Sequence, residues 1–374
     1  MAEQKYKTRR IPEVDGLRTV AVIGVIWIHT WSAFGNPACM IGPIDVERAV
    51  AILGNGVDLF FVISGFCMYL LFAHQTNEFT FQKYGQFMGK RWKRIAPAFY
   101  MAAIVGAFIF WNRNESFPFY DLAAHFFFMH IWLPETGQLS PPFWSLATEW
   151  HFYLLLPFLI VSFRTRIGFW GTMWIAMGLS MLIRLSIYYF FPHKANFGVL
   201  TQIPPRFVEF GWGIIAARVY VSKKNLPAWL QGGTGFLFGC AVAYTGRIGM
   251  VEGVIKLAGW AGFLCQAFSV TILTLGYGLI LLNVISSVSV FQRILSAKWI
   301  TYVGKISYSL YLWHAWAIEL AFELVVKQWE IVGVPGQLIC FSTTLFVLIP
   351  FSIISYRYLE SPYFRRHQPA VATV

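Results

Sequence analysis

Apolar stretches close to the roughly 20 residues needed to cross a bilayer recur along the chain, separated by short polar or Gly/Pro-bearing joints. Ten can be read, at 17–34, 55–73, 95–112, 143–163, 168–190, 205–221, 228–245, 263–285, 303–324 and 336–355. A further run, DLAAHFFFMHIWL at 121–133, is too short to cross comfortably and reads as a re-entrant or interfacial helix on the outer side. Between 254 and 289 the pattern fits either one long tilted helix or a helix plus a surface segment. It predicts an all-α integral membrane protein, a bundle of about ten transmembrane helices. An even number of spans starting inside leaves both termini cytoplasmic, with tails at 1–16 and 357–374 and a transmembrane domain at 17–356.

Composition agrees. Of 374 residues 57% are hydrophobic and 12% charged, with a mean hydropathy of +0.58. A soluble domain is about 25% charged, so a disordered chain, a coiled coil and a conventional cytosolic enzyme are excluded. Lys and Arg number 29 against 17 Asp and Glu, a net +12 that suits either nucleic acid or the cytoplasmic loops of a membrane protein. Position decides between them. Twenty basic residues fall on predicted cytoplasmic joints: Lys5, Lys7, Arg9, Arg10, Arg18, Lys83, Lys90, Arg91, Lys93, Arg94, Arg164, Arg166, Lys223, Lys224, Arg293, Lys298, Lys305, Arg357, Arg365 and Arg366. Six lie outside, namely Arg48, Arg113, Lys194, Arg247, Lys256 and Lys327, while Arg184, Arg206 and Arg218 sit within spans. This is the positive-inside pattern and removes most of the case for a nucleic-acid partner, which would want basic residues grouped on one folded face. The basic start has no small-x-small cleavage site after Trp31, so the first span is expected to be retained. Five scattered cysteines predict neither a disulfide framework nor a metal site. No linker to a second domain is seen, so function is expected within the bundle.

In so uncharged a chain, an ionisable side chain inside a span is a functional hypothesis. Arg18 and His29 are eleven residues apart, about three turns and roughly 16 Å, and so share one helical face. Arg18 is expected at the cytoplasmic edge and His29 about half a bilayer further out, where an imidazole can accept and return a proton. The spacing also fits a snorkelling arginine and a satisfied bundle histidine. Next, Lys90, Arg91 and Arg94 cluster before the third span; the two arginines are i, i+3 neighbours whose planar forks suit phosphate. A topology anchor on anionic lipid fits them as well. In PPFWSLATEWHFYLLLP, 141–157, Glu149 has Ser145 at i−4 and Tyr153 at i+4, with Trp144 among aromatics on which a sugar could stack. Pairing with a buried Arg and an interfacial aromatic belt is the alternative.

Thinner signals complete the set. Ser64 and Gly65 in FFVISGF are small residues suited to close helix packing, and embedded Asp58 needs a partner. Arg206 and Glu209 are i, i+3 and able to neutralise each other. ISYSLYLWH, 306–314, carries Ser307, Tyr308, Tyr311 and His314, either lining a cavity or cross-linking helices.

Taken in order, DGLR at 15–18 with its R-x10-H spacing to His29, FFVISGF at 60–66, R-x-x-R-I-x-P at 91–97, FWSLATEWHFYLLLP at 143–157, ISYSLYLWH at 306–314 and YLESPYF at 358–364 resemble the membrane acyltransferase 3 family. The resemblance spans essentially the whole chain. It implies an integral bacterial inner-membrane O-acyltransferase that moves an acyl group, acetyl first among the candidates, from cytoplasmic acyl-CoA to a hydroxyl of a cell-surface or exported carbohydrate or glycolipid. It implies His29 as catalytic base supported by Arg18 and Asp15, with Arg91 and Arg94, joined by Lys90, on the acyl-CoA phosphates. Glu149, Trp144 and Ser145 match the outer active-site motif, Glu149 as a further catalytic residue that orients an imidazole or positions the acceptor hydroxyl, and Trp144 and Ser145 as substrate contacts together with Tyr153, Ser64 and His314. Longer members append an SGNH domain, from which this chain departs. Acyl-CoA is expected as a donor substrate rather than a permanent cofactor, and polysaccharide-assembly proteins are compatible partners. A pantetheine arm running inward from Arg91 and Arg94 would bring the thioester toward His29, where direct transfer is favoured over an acyl-enzyme on Ser64 or Ser145. Two rivals stand beside this reading: a proton-coupled secondary transporter and a noncatalytic polysaccharide- or lipid-binding scaffold. The transporter calls for inverted repeats, and no internal symmetry is seen.

Overall fold

The computed structural model describes residues 10–42, 44–46, 50, 54–73, 80–114, 116–190, 200–222, 226–255 and 259–362. Lys5, Lys7, Arg9, Arg48, Lys194, Lys223, Lys224, Lys256, Arg365 and Arg366 lie outside the described residues, as do parts of both predicted tails.

The helices are α1 (Pro12–Ala33), α2 (Gly56–Ala73), α3 (Phe81–Asn114), α4 (Phe119–Phe126), α5 (Trp144–Ser162), α6 (Arg166–Phe190) and α7 (Ile203–Val221). They continue with α8 (Gly232–Ile255), α9 (Gly259–Ser286), α10 (Val290–Leu295), α11 (Lys298–Lys305), α12 (Ser307–Phe322) and α13 (Gly333–Ser355). A two-stranded hairpin, Met40–Ile41 against Ile44–Asp45, follows α1. Each of the ten apolar intervals contains a long helix. Among the described residues, six segments are long and apolar enough to cross a membrane: Phe81–Asn114, Pro141–Ser162, Arg166–Phe190, Ala267–Ser286, Ser307–Gln328 and Gly333–Glu360. The protein is thus an all-α, multi-pass membrane protein. Helices α1, α2, α7 and α8 are not among the six, so six of the ten expected spans meet that measure; α1 carries Arg18 and His29, α7 carries Arg206, Glu209 and Arg218, and α2 is a shorter apolar helix. Within 254–289 the described residues form the end of α8, at Ile255, and one helix of 28 residues, α9. The 121–133 run holds the end of the eight-residue α4 and then turns.

Local chemistry sets the ends of α1. Pro12 occupies its first turn, where a missing N–H costs nothing. Gly35, at φ 72°, closes it, with its amide donating to the Ser32 carbonyl. Two close approaches then lock the bundle. A Cβ on Gly304 would meet the Asp15 carbonyl oxygen at 1.8 Å, which presses α11 onto the start of α1. A Cβ on Gly213 would lie 1.9 Å from the Val62 carbonyl oxygen, and one on Gly65 2.1 Å from that of Phe210. Small residues thereby let α2 and α7 touch backbone to backbone. Thr19 Oγ1 adds a 2.6 Å hydrogen bond to the Ile300 carbonyl. The start of α1 therefore shares one end of the bundle with Lys305, whose ammonium lies 5.5 Å from the Tyr356 ring. At the far ends of α3 and α12, Arg113 pairs with Glu319 at 2.5 Å, and Lys327 pairs with Glu323 at 2.7 Å.

Candidate active site

Helices α1, α2, α3, α5 and α12 surround a cavity with about 670 Å³ of empty space, partly open to solvent. Along α2 it is lined from Val57 to Met68, roughly 16 Å of depth at 1.5 Å per residue. Arg18 and Arg94 lie at one end. Arg18 Nη2 reaches Cys67 Sγ at 3.6 Å, and its Nη1 donates to Asp15 Oδ1 at 3.0 Å. Asp15 is itself buried and also binds Arg10 Nε at 2.5 Å, so it holds Arg18 without lining the cavity. At mid-depth, Ser64 Oγ donates to Glu149 Oε1 at 2.7 Å, and the Tyr153 hydroxyl donates to the same oxygen. Toward the other end, the Ser145 and Tyr311 hydroxyls are 2.6 Å apart, and Tyr311 also donates to the Pro142 carbonyl at 2.9 Å.

The arginine pair divides. Arg94 lines the cavity, whereas Arg91 is buried with its guanidinium 5.8 Å from the Tyr153 ring and 5.6 Å from that of Phe87. Lys90, one turn before Arg94 on α3, is exposed. Trp144 stands beside the cavity, its ring 4.9 Å from the Arg206 guanidinium and edge-on to Phe61.

His29 does not line the cavity; it is exposed, and its Nδ1 lies 2.8 Å from Nε2 of fully buried His314. The two ring planes lie within 13° of each other with centroids 5.0 Å apart, the edge-to-edge arrangement of a hydrogen-bonded pair. His314 Nδ1 is in turn 2.5 Å from the Tyr311 carbonyl oxygen. Tyr311 therefore joins the cavity wall to the histidine pair.

Comparison with known proteins adds a family. The acyltransferase 3 model, described as an acyltransferase domain, matches residues 11–355. The chain belongs to the acyltransferase 3 family. Two Staphylococcus aureus proteins are similar to this acyltransferase 3 chain over 96% of its length. One from strain COL, provisionally named an O-acetyltransferase, is 28% identical over 397 residues. The O-acetyltransferase OatA of strain NCTC 8325 is 26% identical over 386 residues. The chain spans about 58% of the length of these relatives. No solved structure matches it.

In this acyltransferase 3 bundle the cavity unites Arg18, Ser64, Arg94, Ser145, Glu149 and Tyr153. It leaves His29, His314, Asp15, Arg91, Lys90 and Trp144 outside its lining. Two clusters escaped sequence reasoning as clusters. Arg206 Nη1 binds Asp58 Oδ1 at 3.0 Å and Glu209 Oε1 at 2.9 Å, and Arg184 Nη2 reaches that Glu209 oxygen at 3.1 Å. The i, i+3 pair is thus a four-residue buried ion network of balanced charge, and embedded Arg184 was its unused signal. Beyond α3, Asp121 accepts from the Gly137 and Gln138 amides at 2.8 and 2.9 Å and from His125 Nδ1 at 3.1 Å. Burial alone would raise the Asp121 carboxyl, but His125 and the two amides hold it below its ordinary range. The His125 and His130 rings lie parallel at 3.9 Å, and His130 Nε2 donates to the Phe143 carbonyl at 3.1 Å, bracing the turn that leads into α5. Burial, with His125 beside it, pushes His130 down to about 3. Asp121 and His125, spaced i, i+4, were the available signal.

Proposed function

We propose that the protein is a membrane O-acyltransferase that transfers an acyl group, acetyl in the first instance, from cytoplasmic acyl-CoA to a hydroxyl of a cell-surface or exported carbohydrate or glycolipid. The observation that carries the reading is the cavity, which has arginines at one end and hydroxyl-bearing side chains toward the other. The similarity to proteins named O-acetyltransferases supports the acetyl group. Phosphates of the donor bind at Arg94 and Arg18, the pantetheine arm runs past Ser64, Glu149 and Tyr153, and the thioester arrives near Ser145 and Tyr311. Arg91 holds Tyr153 in place from behind. The topology that goes with this is ten spans in a bacterial cytoplasmic membrane, both termini inside, with residues 17–356 as the transferase domain. Acyl-CoA is a substrate rather than a resident cofactor, and polysaccharide-assembly proteins are the partners that would present an acceptor.

His29 is the general base. It takes the proton of the acceptor hydroxyl as the oxygen attacks the thioester carbonyl; the tetrahedral intermediate collapses, the C–S bond breaks, and the proton passes to the departing sulfur. The test uses the purified full chain with radiolabelled acetyl-CoA and extracted surface glycans. Transfer by the wild type that His29→Ala abolishes, with acyl-CoA binding intact, supports the reading; normal transfer by His29→Ala overturns the base assignment.

A further inference from the structure

Resting on the reading of His29 as base, we propose that His314 is a positioning residue that fixes the tautomer of His29. A backbone carbonyl only accepts, so the 2.5 Å contact to the Tyr311 oxygen places the proton of neutral His314 on Nδ1. Its Nε2 is then a lone pair. The partner at 2.8 Å, His29 Nδ1, must donate to it. With its one proton on Nδ1, neutral His29 carries its lone pair on Nε2, the nitrogen that His314 does not engage. That is the form in which an imidazole can take a proton.

The geometry around the pair fits this assignment. His314 is fully buried in α12 and His29 is exposed on α1, so the fixed ring lies inside and the reacting ring is accessible. The near-coplanar, edge-to-edge arrangement of the two rings sets the orientation of His29 as well as its proton. Tyr311, whose carbonyl orients His314, also lines the donor's cavity, where its hydroxyl meets Ser145. His314 touches neither donor nor acceptor in this scheme; it acts through His29, and the transferred proton never resides on it.

Selective 15N-histidine labelling of the full chain in detergent, with the His29 signal assigned by its loss in His29→Gln, reads the tautomer directly. A proton on Nδ1 and a lone pair on Nε2 of His29 in the neutral enzyme supports the proposal; a protonated Nε2 overturns it. Kinetics supply the second arm. His314→Leu removes the acceptor and is expected to lower kcat by roughly 10²-fold, the low end of what a positioned base contributes, with KM for acetyl-CoA unchanged. His314→Gln offers a carbonyl oxygen to His29 and an amide N–H to Tyr311 and is expected to restore most of kcat. Normal turnover by His314→Leu, with His29→Ala inactive, overturns this proposal and leaves the function standing. Normal turnover by His29→Ala instead overturns the underlying assignment of the base. If His314→Leu does not fold, the wild-type 15N signal and His314→Gln decide.

Discussion

Arg94 and Lys90 are four residues apart on α3, yet one lines the cavity and the other is exposed, so identical charges have different expected roles. Loss of a charge-assisted hydrogen bond costs about 1.5–3 kcal/mol. Arg94→Ala should therefore weaken acyl-CoA binding by about 10- to 100-fold, as measured by isothermal titration on the purified protein. Lys90→Ala should leave it unchanged. High salt should mimic Arg94→Ala, because a phosphate contact is screened; equal affinities for both variants would return the cluster to the role of a lipid anchor. Arg91 was read from the sequence as a second phosphate ligand. Its guanidinium over the Tyr153 ring gives it a different route to the site, through the tyrosine whose hydroxyl donates to Glu149.

Helix contacts are governed by residues with no chemistry of their own. The α2–α7 approach leaves no room for a side chain at Gly213. Gly213→Leu should destabilise the bundle by about 1–3 kcal/mol through overpacking, read as a lower midpoint of thermal unfolding in detergent. An unchanged midpoint would show that the two helices can separate. The turn into α5 is held by the His125–His130 stack and Asp121. The folded His130 value, about 3, lies below the ordinary value of about 6.5. Between these the unfolded chain binds a proton that the native protein does not, so stability is full above pH 6.5 and falls as pH drops toward 3. Asp121, also lowered, adds to the loss only below the ordinary carboxylate range. The unfolding midpoint should decline between pH 6.5 and 4, and His130→Phe should flatten that slope even though it gives up the bond to Phe143.

Across the whole molecule, a low content of charge concentrates polar residues where they have partners: the ion network of Asp58, Arg184, Arg206 and Glu209, the cavity, and the histidine pair. Hydropathy by itself determined the all-α membrane class and the positions of the long helices, because crossing a bilayer constrains length and composition locally. The embedded ionisable residues were legible for the same reason: each is costly enough to stand out. Helical period put Ser145, Glu149 and Tyr153 on one face, and all three line the cavity. What the period leaves open is the direction in which a face points, since the rotation of a helix is set by packing against its neighbours. Only the tertiary structure therefore separated Arg94 from Arg91 and Lys90, took Trp144 to Arg206, and kept His29 out of the cavity. It alone brought His29 to His314 across 285 residues of sequence, because that contact depends on how α1 and α12 pack and on no pattern within either helix.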